Sequence, residues 1–98
     1  MIDLGTLVEV DLGGERPRRA LVLSNRRFTD ATERVLVAPE WSGPLDGRIA
    51  PWHVRAGDGI YAVDRLISVA TERVLDRLGE APFPSMVEAR HTLMTITA

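Results

Sequence analysis

The chain has 98 residues, 45% of them apolar and 27% charged, with no cysteine and a formal net charge of −2. That length closes one hydrophobic core, which excludes separate cofactor and substrate domains, and the composition is that of a globular chain rather than a disordered one. The missing cysteines exclude disulfides, thiolate chemistry and cysteine-based zinc sites, and with His53 and His91 the only histidines, neither a multi-histidine metal site nor a cofactor is expected.

Thr6 to Asp11 alternates, with Val8 and Val10 on one face and Glu9 on the other, and predicts a half-buried strand that Gly13-Gly14 breaks. Ala20 to Ser24 is a short apolar run and reads as a buried strand ending at Asn25. Residues 26–32 are polar, either one helical turn or a loop. Glu33 to Ala38 predicts a third strand, stopped by Pro39. Residues 40–51 carry Gly43, Pro44, Gly47 and Pro51 and read as a loop. Trp52 to Arg55 predicts a short strand, Gly57-Asp58-Gly59 a tight hairpin turn, and Ile60 to Asp64 and Leu66 to Ala70 two further strands. From Ser85 to Thr97, Met86, Ala89, Leu93 and Ile96 recur at helical spacing, with Val87 and Met94 beside them, so a C-terminal helix is expected to pack on the sheet. Pro82 and Pro84 suit its start, because a proline in the first turn lacks only an N–H that has no intrahelical partner. Many short strands and one late helix point to a small curved antiparallel sheet or partly open barrel, a single domain over 1–98.

Charge is unevenly distributed. Residues 1–14 hold three acids and no arginine, residues 15–55 hold eight arginines against five acids, and residues 56–98 hold four against six. The middle of the chain therefore offers a local anion-binding face on an otherwise acidic protein. All twelve basic residues are arginine, which GC-rich codon usage accounts for. Every positive charge is nonetheless a planar fork that can hold phosphate bidentately, and none is a titrating lysine base. The N-terminus has no basic region ahead of an apolar run, and no apolar stretch approaches the ~20 residues of a membrane span. A cytoplasmic protein is expected, with no membrane partner.

Six features in order resemble one family. Gly5-Thr6 with Val8, Val10 and Asp11 is followed by Arg-Pro-Arg-Arg-Ala-Leu-Val-Leu-Ser-Asn at 16–25 and by Val35, Val37, Ala38 and Pro39. Then come Trp52-His53-Val54, and Ile60 to Asp64 with Ile67-Ser68-Val69. Arg77-Leu78-Gly79 and the late helix close the set. Together they resemble the MazF/Kid (PemK-like) toxins of type II toxin–antitoxin systems over nearly the whole chain.

The resemblance implies a mainly β, SH3-like small barrel of twisted antiparallel strands with a C-terminal helix. It implies a homodimer, held in check by a cognate MazE-like antitoxin with a disordered acidic tail. It also implies a metal-independent endoribonuclease that cuts single-stranded RNA at short sequences, leaves 2′,3′-cyclic phosphate and 5′-OH ends, and so inhibits translation and growth. Such cleavage needs help in deprotonating the 2′-OH, a proton for the 5′-oxygen, and stabilisation of the phosphorane charge.

The family arginine before the second strand falls on Arg18, with Arg16 the alternative; the usual Arg-Pro-Ala reads Arg18-Arg19-Ala20 here. The family threonine after the third strand falls on Trp41, leaving Ser42 to supply a hydroxyl if the loop shifts by one residue. Trp41 either stacks on a splayed base or packs at the core edge. Asp64 matches an acid that Kid-type members use in cleavage, although the accompanying arginine is Ala62 here. The implied catalytic set is thus Arg18, Ser42 and Asp64, and the implied RNA-binding set is Glu15, Arg16, Arg19, Trp41 and His53, with no metal ligand. His91 is expected to pack in the core or at a dimer contact. Two alternatives stay open: a gyrase inhibitor on the same fold, of the CcdB type, against which the arginine cluster at 16–19 argues, and a catalytically weak homologue that binds RNA without cutting it.

Overall fold

The structure is a computed structural model that describes residues 2–44 and 49–98. In chain order it has β1 (Thr6–Val10), β2 (Arg18–Val22), α1 (Arg26–Thr32), β3 (Arg34–Pro39), β4 (His53–Ala56), β5 (Gly59–Ala62), β6 (Ile67–Ala70), β7 (Val74–Glu80) and α2 (Phe83–Thr97), with 3-10 turns at Val63–Arg65 and Thr71–Arg73. Five strands form an antiparallel sheet in the order β6-β3-β2-β1-β7, and β4 and β5 form a separate hairpin.

The sheet buries residues on both faces, so its central strands read as apolar runs rather than as clean alternations. Ala20, Val22, Val35, Val37, Val8 and Val10 share one cluster. Leu21 and Ala38 point the other way, into a cluster with Val54, Ala56, Tyr61 and Val63 of the hairpin region and Met86 and Ala89 of α2. This second cluster fixes the hairpin and helix against the sheet.

The expected class, mainly antiparallel β with a C-terminal helix, is what the chain forms, but the strands do not close into a barrel among the described residues. β6 and β7 are the two edges of an open sheet. β1 shifts register twice against β7, between Leu7 and Val8 and between Glu9 and Val10, and such bulges bend the strand and increase the local twist.

Several boundaries differ from the sequence expectation. β2 begins at Arg18, not at Ala20, because backbone pairing with Val10 extends it beyond its apolar part. Residues 26–32 form a helix capped by the Asn25 side chain, which accepts from Phe28 N at 3.0 Å. Glu33 does not start β3; it ends α1 in the left-handed region at φ 56°. Asp64 lies in a 3-10 turn, not at a strand end. β7 was not expected as a strand. The loop expected over 40–51 lies partly on residues 45–48, outside the described residues.

The turn at Gly57-Asp58 has the expected hairpin form, with Ala56 paired to Gly59 and Gly57 at φ 63°, a conformation that two-residue hairpin turns require and glycine supplies. In α2, Pro84 sits in the first turn, and Met86, Ala89 and Thr92 are buried, whereas Val87, Met94 and Ile96 are exposed. His91 is exposed, so it is not a core residue. No helix among the described residues is long and apolar enough to cross a membrane.

Candidate functional site

β2 carries two arginines side by side, and strand alternation sends them to opposite faces. Arg18 is exposed, and its Nη2 donates to the Glu40 carbonyl at 2.8 Å. Arg19 faces the hairpin. Its Nη2 lies 2.9 Å from Glu40 Oε2, 2.8 Å from Asp58 Oδ1 and 3.4 Å from the Tyr61 hydroxyl. The Arg19 Nε is buried without a hydrogen-bond partner.

Charge and burial shift three groups here. The hydrogen bond to Asp58, then that to Tyr61, raises the Arg19 guanidinium still further above its ordinary range. The same bond, and then the arginine charge, holds the Asp58 carboxyl below the usual carboxylate range. Burial lifts the Tyr61 phenol, against the opposing pull of Arg19.

Glu40 is the joint of the molecule. Its N–H donates to the Arg19 carbonyl at 2.9 Å, and it forms an isolated antiparallel bridge with Tyr61. The next N–H, that of Trp41, donates to the Ile60 carbonyl at 2.7 Å. The chain therefore passes from the five-stranded sheet to the hairpin at this point.

Beyond the joint lies an aromatic and ionic cluster. The Trp41 and His53 ring centroids are 4.8 Å apart at 40°, and the Arg65 guanidinium carbon stands 5.2 Å from the centre of the Trp41 ring. His53 Nε2 is 3.5 Å from Asp64 Oδ1; the histidine side chain is 6% exposed and the aspartate 35%. The Trp41 Nε1 donates to the Pro44 carbonyl at 3.5 Å. Gly43 lies so close to the indole that a side chain there would overlap it.

The structure thus brings together Trp41, His53 and Asp64 beside the 3-10 turn, with Ser42 exposed next to Trp41, while Arg18 reaches toward this region through the Glu40 carbonyl. Glu15 and Arg16 lie exposed in the segment between β1 and β2. Arg19 is drawn into the clamp on the hairpin. Glu40, Asp58, Tyr61 and Arg65 were not singled out from sequence. The one available signal was Arg19 itself, a charged residue where the family pattern has proline, opposite an acidic turn at 57–59. A cavity of about 460 Å³ lined by Asp11, Gly13, Arg34, Ser68 and Arg73 shares no residue with this cluster. Its arginines are already engaged, Arg34 Nε with Ser68 Oγ at 2.8 Å and Arg73 with Asp11 at 3.8 Å. Among the described residues, no group of three or more His, Asp or Glu gathers as a metal site.

An open antiparallel sheet with a hairpin, a C-terminal helix and an exposed arginine at the start of the second strand defines the class of small β toxins described above. Residues 3–97 match the model of the PemK-like, MazF-like toxin of type II toxin–antitoxin systems, and the chain belongs to that family. Among solved structures, it is similar to a MazE–MazF crystal form from Deinococcus radiodurans, with a TM-score of 0.83 at 26% identity over 99% of this chain and 95% of that one. It is also similar to MazF from the same organism, with a TM-score of 0.81 at 25% identity over 98% and 96%. A mycobacterial endoribonuclease in complex with its cognate antitoxin shares the fold, with a TM-score of 0.84 at 22% identity over 99% and 95%. No curated protein matches the sequence.

Proposed function

We propose that this chain is the toxin of a type II toxin–antitoxin system and acts as a metal-independent endoribonuclease on single-stranded RNA, leaving 2′,3′-cyclic phosphate and 5′-OH ends. The observation that carries this reading is Arg18: an exposed guanidinium, anchored through one nitrogen to the Glu40 carbonyl. Its remaining donors are available to a phosphorane oxygen. Asp64, half-exposed beside His53, is the group we assign to take the 2′-OH proton. Ser42, next to Trp41 on the same exposed segment, is assigned to the leaving oxygen. Glu15 and Arg16 extend the RNA-binding face along the β1–β2 segment.

The protein works as a homodimer of one toxin domain per chain. Apolar side chains left exposed on α2, with Phe83 at 79% and Met94 at 66%, support an interface of that kind. A MazE-like antitoxin is the inhibitory partner, in keeping with the MazE–MazF complexes to which the chain is similar.

The test is cleavage of a long single-stranded RNA by purified protein in EDTA, with the fragment ends sequenced. Cuts at a recurrent short motif, reduced roughly 100- to 1,000-fold in Arg18→Ala as for loss of a charge-stabilising donor, are expected. A folded protein that leaves the RNA intact overturns the reading. A second reading, RNA binding without cleavage, is favoured by one observation. Trp41, at the family's threonine position, is packed between His53 and Arg65. In that case the same protein retards RNA on a gel without shortening it.

A further inference from the structure

We infer that Arg19 is a positioning residue for Arg18, acting through Glu40, and does not itself bind RNA; this rests on the reading of Arg18 as the phosphate-binding arginine. Three observations carry it. First, a single Arg19 nitrogen reaches both sides of the joint: Glu40 at the end of β3, and Asp58 and Tyr61 of the hairpin. Second, Glu40 is bonded to both arginines by different atoms. Its carboxylate takes Arg19 at 2.9 Å, while its carbonyl takes Arg18 at 2.8 Å. Holding the Glu40 side chain therefore fixes the carbonyl that orients Arg18. Third, the hairpin is shaped around this contact. A Cβ at Gly59 would lie 2.7 Å from Arg19 Nη2, 2.8 Å from Glu40 Oε2 and 2.9 Å from the Tyr61 hydroxyl. A side chain there would have to push these three ends apart.

A guanidinium committed to two carboxylates and a phenol has its charge already met within the protein. An RNA phosphate would have to displace those partners, whereas Arg18, among the described residues, carries only a carbonyl. Strand alternation thus gives the two neighbouring arginines different work: one turned to the ligand, the other to the scaffold that aims it.

The test uses the full-length protein with three variants: Arg19→Met, Gly59→Ala, which displaces the clamp without removing a charge, and Asp58→Asn, at a side chain 85% exposed. Two quantities are read. Slow rotation of the Arg18 guanidinium, followed by nitrogen-15 NMR, is expected in the native protein and lost in Arg19→Met and Gly59→Ala. In RNA cleavage, kcat is expected to fall roughly 10- to 100-fold, as for a small misplacement of a reacting group, with KM within about two-fold.

A raised KM at unchanged kcat means that Arg19 touches RNA and overturns the inference. Unchanged Arg18 rotation in a folded variant overturns it as well. If Arg19→Met does not fold, Gly59→Ala and Asp58→Asn decide by the same readouts. If the native protein does not cut RNA, the proposed activity fails, while the rotation measurement still decides whether Arg19 positions Arg18.

Discussion

The guanidinium of Arg65 covers one face of the Trp41 indole, 5.2 Å from the ring centre, and His53 lies against the ring from a second direction at 4.8 Å. A base that is to stack on Trp41 must compete with Arg65 for that face. In a Trp52→Phe background, where Trp41 is the sole tryptophan, saturating single-stranded RNA is expected to quench the fluorescence weakly. Adding Arg65→Ala is expected to deepen the quench by opening the ring to a base. Equal quenching with and without Arg65 would show that no base approaches from that side.

His53 is nearly enclosed, so any part it plays in cleavage passes through Asp64. His53→Phe keeps an aromatic ring beneath Trp41 and removes the nitrogen that faces the carboxylate. The expected result is a stable fold with cleavage slowed roughly 10-fold or more, on the scale of general acid–base effects. Asp64→Asn should be slowed at least as much, and the double variant little further, since both changes break one path. Independent, multiplying losses in the double variant would refute that path.

The Tyr61 phenol is raised above its ordinary value, chiefly by burial. A group raised on folding stabilises the fold fully below its unfolded value, about pH 10. That contribution is lost as pH rises through the higher folded value. Absorbance at the phenolate band should therefore titrate with a midpoint above about pH 10 and end in alkaline unfolding. Tyr61→Phe should remove the titration and move the unfolding to higher pH. A midpoint at or below the free-tyrosine value would contradict the burial.

Asp58 carries the opposite sign. Its carboxyl is lowered by the Arg19 hydrogen bond and charge. Its contribution is present above the unfolded value of about 4 and is lost as pH falls through the folded one. Denaturation of the native protein and Asp58→Asn should differ at neutral pH and converge in acid. The neutral-pH difference should shrink with added salt, because the side chain stands in solvent. A difference that persists in strong acid would place its origin outside this ion pair.

The strands that pack were legible in the sequence, because apolar side chains declare burial. Val8, Val10, Leu21, Val35 and Val37 all lie in the core. β7 was not legible. Val74–Glu80 has four consecutive exposed residues and no alternation, and it is held to β1 by backbone pairing that any side chain permits. The extension of β2 to Arg18 was hidden for the same reason. At the site, Trp41, His53 and Asp64 were named from sequence and lie in one cluster, and Arg18, also named, contacts the Glu40 carbonyl. The Arg19 clamp was not visible, because residues 19, 40, 58 and 61 meet only through the β2–β3 pairing and the hairpin. No local pattern encodes a contact made by the joining of two sheets. The register shifts in β1 against β7 were likewise hidden, since hydrophobic patterning does not carry them.

The close approach at Gly59 couples positions 19 and 59 energetically. Any side chain at 59 would push aside the ends of Arg19, Glu40 and Tyr61, since three of their polar atoms lie within 3 Å of where its Cβ would be. Replacing Arg19 by methionine removes one of those three ends and leaves Glu40 and Tyr61 to yield, so Gly59→Ala should cost less in that background than alone. Measured together, the two changes should be strongly non-additive. The arginine and the glycine thus act as one packing unit, and a transplant of this site into another scaffold would have to carry both.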